Sequence, residues 1–140
     1  MPENQPTSRA EHRPSHIRGR LQSFRYAFAG WWYMLRTQRN AWIHAIFTGA
    51  VVIVGAWLGL SRVEWAIIAL TIGAVWMAEF VNTALEAVVD LTSPNAHPLA
   101  KAGKDVAAAA VLVAALTSVA VGLLILGPPL WGRLTPLLAR

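Results

Sequence analysis

Apolar residues gather in three long runs. Residues 41–60 hold about 20 positions, roughly 30 Å as a helix, which matches the hydrocarbon thickness of a bilayer. Residues 65–89 form the second run and 106–126 the third. Only 61–64 separate the first two, which predicts a tight helical hairpin. Residues 91–97 (LTSPNAH) read as a turn, and Pro98 suits the first turn of the third helix, where its missing N–H is not needed. Gly127, Pro128 and Pro129 predict a sharp stop at the end of that helix.

Ahead of the runs, residues 20–36 have a helical period. Leu21, Phe24, Phe28, Trp31, Trp32 and Leu35 mark one side, and Arg18, Gln22, Arg25, Ala29 and Arg36 the other. That pattern suits a helix lying in the membrane interface. Residues 1–16 are polar and without period, and are expected to be a disordered basic tail. The expectation is an all-α membrane protein with three transmembrane helices and one amphipathic surface helix. Residues 17–130 form the membrane domain and 131–140 a C-terminal tail.

Composition agrees. The chain has 140 residues, 56% of them hydrophobic, and no cysteine, so disulfides and thiolate metal sites are excluded. The net charge of +5 could suggest nucleic acid, but the basic arm directly precedes an apolar block, the arrangement expected beside anionic lipid. No nucleic-acid partner is expected. Arginines crowd the N-terminus, and Lys101 and Lys104 flank the second connection. The positive-inside tendency therefore puts the N-terminus and that connection in the cytoplasm. Trp76 fits neither aromatic belt and is expected to pack against a neighbour.

One polar stripe breaks the second run. Glu79, Asn82, Glu86 and Asp90 are spaced three, four and four apart. On a helix they share a sector of roughly 80°. Ionisable groups in a span are costly and are functional candidates by default. Asp90 falls at the cytoplasmic boundary and Glu79 roughly 16 Å deeper. The other half of the membrane has no matching groups, so a side-to-side transport route is disfavoured.

A second cluster, His97, Lys101, Lys104 and Asp105, reaches the same interface from the start of the third helix. Carboxylates with lysine point to divalent metal and phosphate. A buried carboxylate beside a lipid hydroxyl could serve as general base. The bland alternatives stand beside these: a helix-to-helix hydrogen bond for Glu79, interhelical glue for Asn82, lysine pairing for Glu86 and Asp90, a helix cap for His97. On that view the chain is a non-catalytic membrane protein whose stripe assembles helices or binds anionic lipid. No phosphate-binding glycine loop and no kinase signature set occurs.

AEFVNTALEAVVDL followed by HPLAKAGKDVAAAAVLVAA resembles the signature of the small prokaryotic diacylglycerol and undecaprenol kinases, over about residues 20–126. The resemblance implies a homotrimer in the bacterial inner membrane, phosphorylating undecaprenol or diacylglycerol with ATP and Mg²⁺. By position, Glu79 matches the family's catalytic base and Asn82 its active-site amide. Glu86 matches a metal-binding glutamate, and Asp90 the aspartate that closes the motif. Lys104 and Asp105 match a nucleotide-contacting pair. Asn95, Ala96 and His97 match a nucleotide-reaching loop, and Tyr26 a stacking aromatic. Two positions depart. Gln38 stands where a second metal-binding glutamate is expected, and Gly19, between Arg18 and Arg20, stands where an arginine is expected.

Overall fold

The computed structural model describes residues 16–138, with side chains over 22–136. The expected tail lies, except for His16, outside the described residues, as do the side chains of Arg18 and Arg20. Four helices and no strand occur among the described residues: α1 His16–Thr37, α2 Arg39–Leu58, α3 Arg62–Thr92 and α4 Pro98–Leu138. The last three are long and apolar enough to cross a membrane. The chain divides into two compact units at Tyr33/Met34. In the first, the aromatic side chains Phe24, Tyr26, Phe28, Trp31 and Trp32 are exposed.

Within the second unit, Gln38 is a one-residue break between helical segments, with φ −108° and ψ 113°. Its N–H still donates to the Met34 carbonyl at 2.8 Å, and the Trp42 indole donates to the Leu35 carbonyl at 2.9 Å. The backbone around Gln38 is thereby held in place.

The hairpin between α2 and α3 turns at 59–61, slightly earlier than expected. Gly59 takes a left-handed conformation (φ 76°) that other residues adopt only at a cost, and its N–H closes α2 on the Gly55 carbonyl at 3.1 Å. Ser61 and Glu64 form a reciprocal cap: each side chain accepts from the other's backbone N–H. Gly55 lets the turn fold back, because a Cβ there would stand 2.9 Å from Leu60 Cδ1 and 3.1 Å from the Trp65 ring.

The expected stop at 127–129 does not occur: α4 runs through Pro128 and Pro129 to Leu138. Proline costs backbone hydrogen bonds but its fixed φ is helical, so it need not end a helix whose far segment is anchored. That anchor is Arg133, which donates to the Trp57 carbonyl at 2.8 Å and the Leu58 carbonyl at 3.2 Å. Its guanidinium also lies 5.0 Å from the centre of the Trp57 ring. The extension thus caps the end of α2.

α4 packs chiefly along α3, with lesser contacts from α2 to both. Few side chains are buried: Met34, Ala41, Leu58, Ile68, Val75 and Val111 among the apolar ones, and Glu79, Asn82 and Thr83 among the polar. Polar side chains in the core with apolar ones outside is the arrangement of a membrane protein.

Candidate active site

The stripe on α3 is graded. Glu79 is 1% exposed and Asn82 7%, Glu86 is half-buried, and Asp90 is exposed. Each step toward the α4 start is wetter than the one before. Thr83, beside the stripe, donates to the Glu79 backbone carbonyl at 2.9 Å and is satisfied by its own helix.

Glu86 is the hub. Its Oε2 accepts from Gln38 Nε2 at 2.7 Å and its Oε1 from Asn82 Nδ2 at 3.2 Å. Gln38 comes from the start of α2, 48 positions earlier in the chain than Glu86, so the hairpin folds back to place it there. The other end of the Asn82 amide, Oδ1, is buried and has no hydrogen-bond partner. A buried acceptor left unmet costs roughly 1–3 kcal/mol, which marks a place where a donor or cation belongs. Among the described residues no three histidine, cysteine, aspartate or glutamate side chains cluster as a metal site. The donors present are still of the type a hard cation accepts. Glu86 gives a carboxylate, Asn82 its unmet oxygen, and Gln38 an amide oxygen if the amide turns over. One carboxylate with amide oxygens fits Mg²⁺ when phosphate oxygens complete the shell.

At the wet end, Lys104 donates to Asp90 Oδ1 across the α3–α4 turn, while Lys101 pairs with Asp105 one helical turn away at 2.5 Å. Lys104 is the more covered of the two lysines, so its pair with Asp90 is the better shielded. His97 caps α4: its Nδ1 accepts from the Leu99 N–H at 3.2 Å, and its carbonyl accepts from Lys101 N–H at 3.0 Å. The backbone of Asn95 is held by Ser93 Oγ, which donates to its carbonyl at 3.1 Å. These groups line an open cavity of about 690 Å³, with Asp90, Asn95, His97, Lys101 and Lys104 on its walls.

The structure therefore brings Gln38, Asn82 and Glu86 into one hydrogen-bonded cluster, and Asp90, Asn95, Ala96, His97 and Lys104 around one cavity. Asp105 points to Lys101 and is not among the cavity residues. Tyr26 lies in the N-terminal unit and is exposed. Trp76 does pack against neighbours, as expected, but sequence reasoning missed the polar cluster that it forms with them deeper in the span. Trp76 Nε1 donates to Thr48 Oγ1 at 3.3 Å, and the His44 ring stands edge-on to Trp76, centroids 6.5 Å apart at 68°. The signal was a histidine and a threonine four residues apart in the first apolar run, which share a helix face.

Fold and site together define a small helical membrane protein with a stripe of polar side chains, buried at one end, that leads to an open, lysine-lined cavity. Comparison with known proteins is specific. The family model for prokaryotic diacylglycerol kinase matches residues 25–126. The undecaprenol kinase of Bacillus subtilis (strain 168) is 48% identical over 110 residues, covering 79% of this chain and 89% of that protein. The diacylglycerol kinase of Synechocystis sp. is 53% identical over 112 residues, 79% of this chain and 63% of that protein. That of Escherichia coli (strain K12) is 29% identical over 94 residues, 62% of this chain and 77% of that protein. The chain belongs to the prokaryotic diacylglycerol kinase family.

Proposed function

We propose that this protein transfers the γ-phosphoryl group of ATP to the hydroxyl of a membrane lipid, undecaprenol or diacylglycerol. The reaction takes place at the cytoplasmic face of the bacterial inner membrane, with the N-terminus on that side. The observation that carries the reading is the graded burial along one face of α3. It runs from a carboxyl sealed in the span to an aspartate beside an open, lysine-lined cavity. A greasy alcohol reaches the first and a water-borne nucleotide the second.

In this reading Glu79 accepts the proton of the lipid hydroxyl as its oxygen attacks the γ-phosphorus. The bond from that phosphorus to the bridging oxygen breaks in line, leaving ADP. Asn82 is the active-site amide, on the same face of α3 as Glu79. Lys104 leaves Asp90 to neutralise phosphate charge. The loop at Asn95, Ala96 and His97 borders the nucleotide, and Asp105, next to Lys104 in the chain, contacts it with that lysine. Glu86, with amide oxygens from Gln38 and Asn82, would hold Mg²⁺, which supplies charge neutralisation on the phosphates. The working unit is a homotrimer, and the sparse burial within one chain is compatible with further surface being covered in an assembly.

The test uses purified protein in detergent with labelled ATP, Mg²⁺ and either lipid. Label should enter one or both lipids and be lost in Glu79→Gln. No label with any lipid, from protein that stays assembled, would return the stripe to a structural role.

A further inference from the structure

His44 has no part in the mechanism above, yet the helix register brings it to the catalytic carboxylate. Two contacts fix how α2 and α3 run past each other: Gln38 meets Glu86, and Thr48 meets Trp76. Both are ten residues apart on each helix, in opposite directions. Between them, His44 falls opposite Phe80, one residue from Glu79, at the same depth in the span. The imidazole is not loose. Its ring packs edge-on against Trp76, which is itself tied to Thr48, so its aromatic neighbour is held in place. On its other side His44 borders an apolar groove of about 510 Å³ between α2, α3 and α4, beside Phe47, Ile72 and Val75. The α4 residues lining that groove, among them Ala115, Ser118 and Val119, carry no charge.

We propose that His44 is a positioning residue for the lipid kinase reaction, its ring N–H directed at the Glu79 carboxylate so that the base keeps its aim at the acceptor hydroxyl. A carboxylate 1% exposed in a span has few donors to choose from. Thr83 spends its hydroxyl on the Glu79 backbone, and the Asn82 amide donates to Glu86. The imidazole, on the facing helix at the level of Phe80, is placed to offer a donor. Trp76 and Thr48 hold it as an outer layer of support, the arrangement by which a reacting group is kept within a few tenths of an ångström of its productive place.

The inference rests on the lipid kinase reading and is tested beside it with His44→Phe and His44→Gln in the labelled-ATP assay. Phenylalanine keeps a ring against Trp76 but has no N–H, whereas glutamine restores a donor without the ring. The expected result is a kcat roughly tenfold lower in His44→Phe, with the KM for MgATP and the melting temperature unchanged. His44→Gln should recover to within about threefold of wild type. A role in packing alone would give the reverse order, with phenylalanine near wild type and glutamine impaired, and that result overturns the proposal. So would equal rates in all three proteins. If His44→Phe does not assemble, His44→Leu against His44→Gln reads the same difference. Absence of label with the wild-type protein itself would instead sink the lipid kinase reading, which keeps the two failures apart.

Discussion

The two ends of α3 are built on opposite rules. At the Ser61 end the polar groups described are matched. Ser61 and Glu64 cap each other, Gly59 closes α2, and Arg133 reaches from α4 to take two α2 carbonyls. The hydroxyls that follow, Thr71 in α3 and Thr117 in α4, donate to carbonyls of their own helices. At the Glu86 end the polar groups lie deeper and are less completely matched. Asn82 Oδ1 is buried without a partner, and Asp90 and Lys104 face an open cavity. One end is a fastening and the other is a receptacle. A membrane span tolerates unmatched polarity only where protein or a ligand can meet it.

The sharpest way to break this contrast is to neutralise the deepest carboxylate. Glu79→Gln keeps shape and removes the base, so kcat should fall by about 10²–10⁴ while the protein melts at a similar or higher temperature. A variant that loses stability but keeps its rate would make Glu79 a structural carboxyl, and the receptacle would be a second fastening.

The complementary change is at the other end. Gly55→Val would push carbon atoms into Leu60 and Trp65, where even a Cβ is too close. Overpacking of this kind costs roughly 1–3 kcal/mol. Unfolding in detergent should shift accordingly, with kcat in the surviving fraction unchanged because the site lies at the far end of the helix. A proportionate loss of kcat would show that the two ends are coupled.

Lys104→Met separates the two roles that meet at the cavity. The Lys104–Asp90 pair is partly exposed and is worth little to stability. Loss of a charge that meets phosphate should raise the KM for ATP roughly tenfold. Lys101→Met, which breaks only the exposed pair with Asp105, should have a smaller effect. Equal losses from the two would mean that Lys101, which also lines the cavity, meets the nucleotide as Lys104 does, and no loss from either would mean that the cavity is not where the nucleotide binds.

Much of this was legible in the residue pattern. Three apolar runs gave three spans, and Pro98 did start the last helix. The spacing from Glu79 to Asp90 placed all four polar groups on one face, and their burial follows the depth that the helical rise gives them. What periodicity does not encode is the register between helices. Hence His44, Trp76 and Thr48 were not seen as a unit, and lysine pairing, an alternative for both Glu86 and Asp90, is found only at Asp90, with Lys104 fourteen residues on. The end of α4 was misread for a related reason. Proline weighs against a helix locally, but Arg133 holds the far segment by a contact 76 residues away in sequence.

The smallest expected effect tests the receptacle's own chemistry. Gln38 stands where the family pattern leads one to expect glutamate, and its amide donates to Glu86 at 2.7 Å. With an amide there, the protein contributes one carboxylate to a cation and leaves the remaining charge to the nucleotide. Gln38→Glu places a second carboxylate against the first. Without a cation the two repel, so the variant should be slightly less stable in chelator. With Mg²⁺ the repulsion becomes attraction to the ion, and the Mg²⁺ midpoint of the rate should fall about fivefold, close to 1 kcal/mol. Manganese binding without nucleotide, read by its paramagnetic effect on water, should be weak in the wild-type protein and measurable in the variant. An unchanged Mg²⁺ titration, with stability in chelator also unchanged, would show that Gln38 merely ties α2 to α3, and the receptacle would then begin at Asn82.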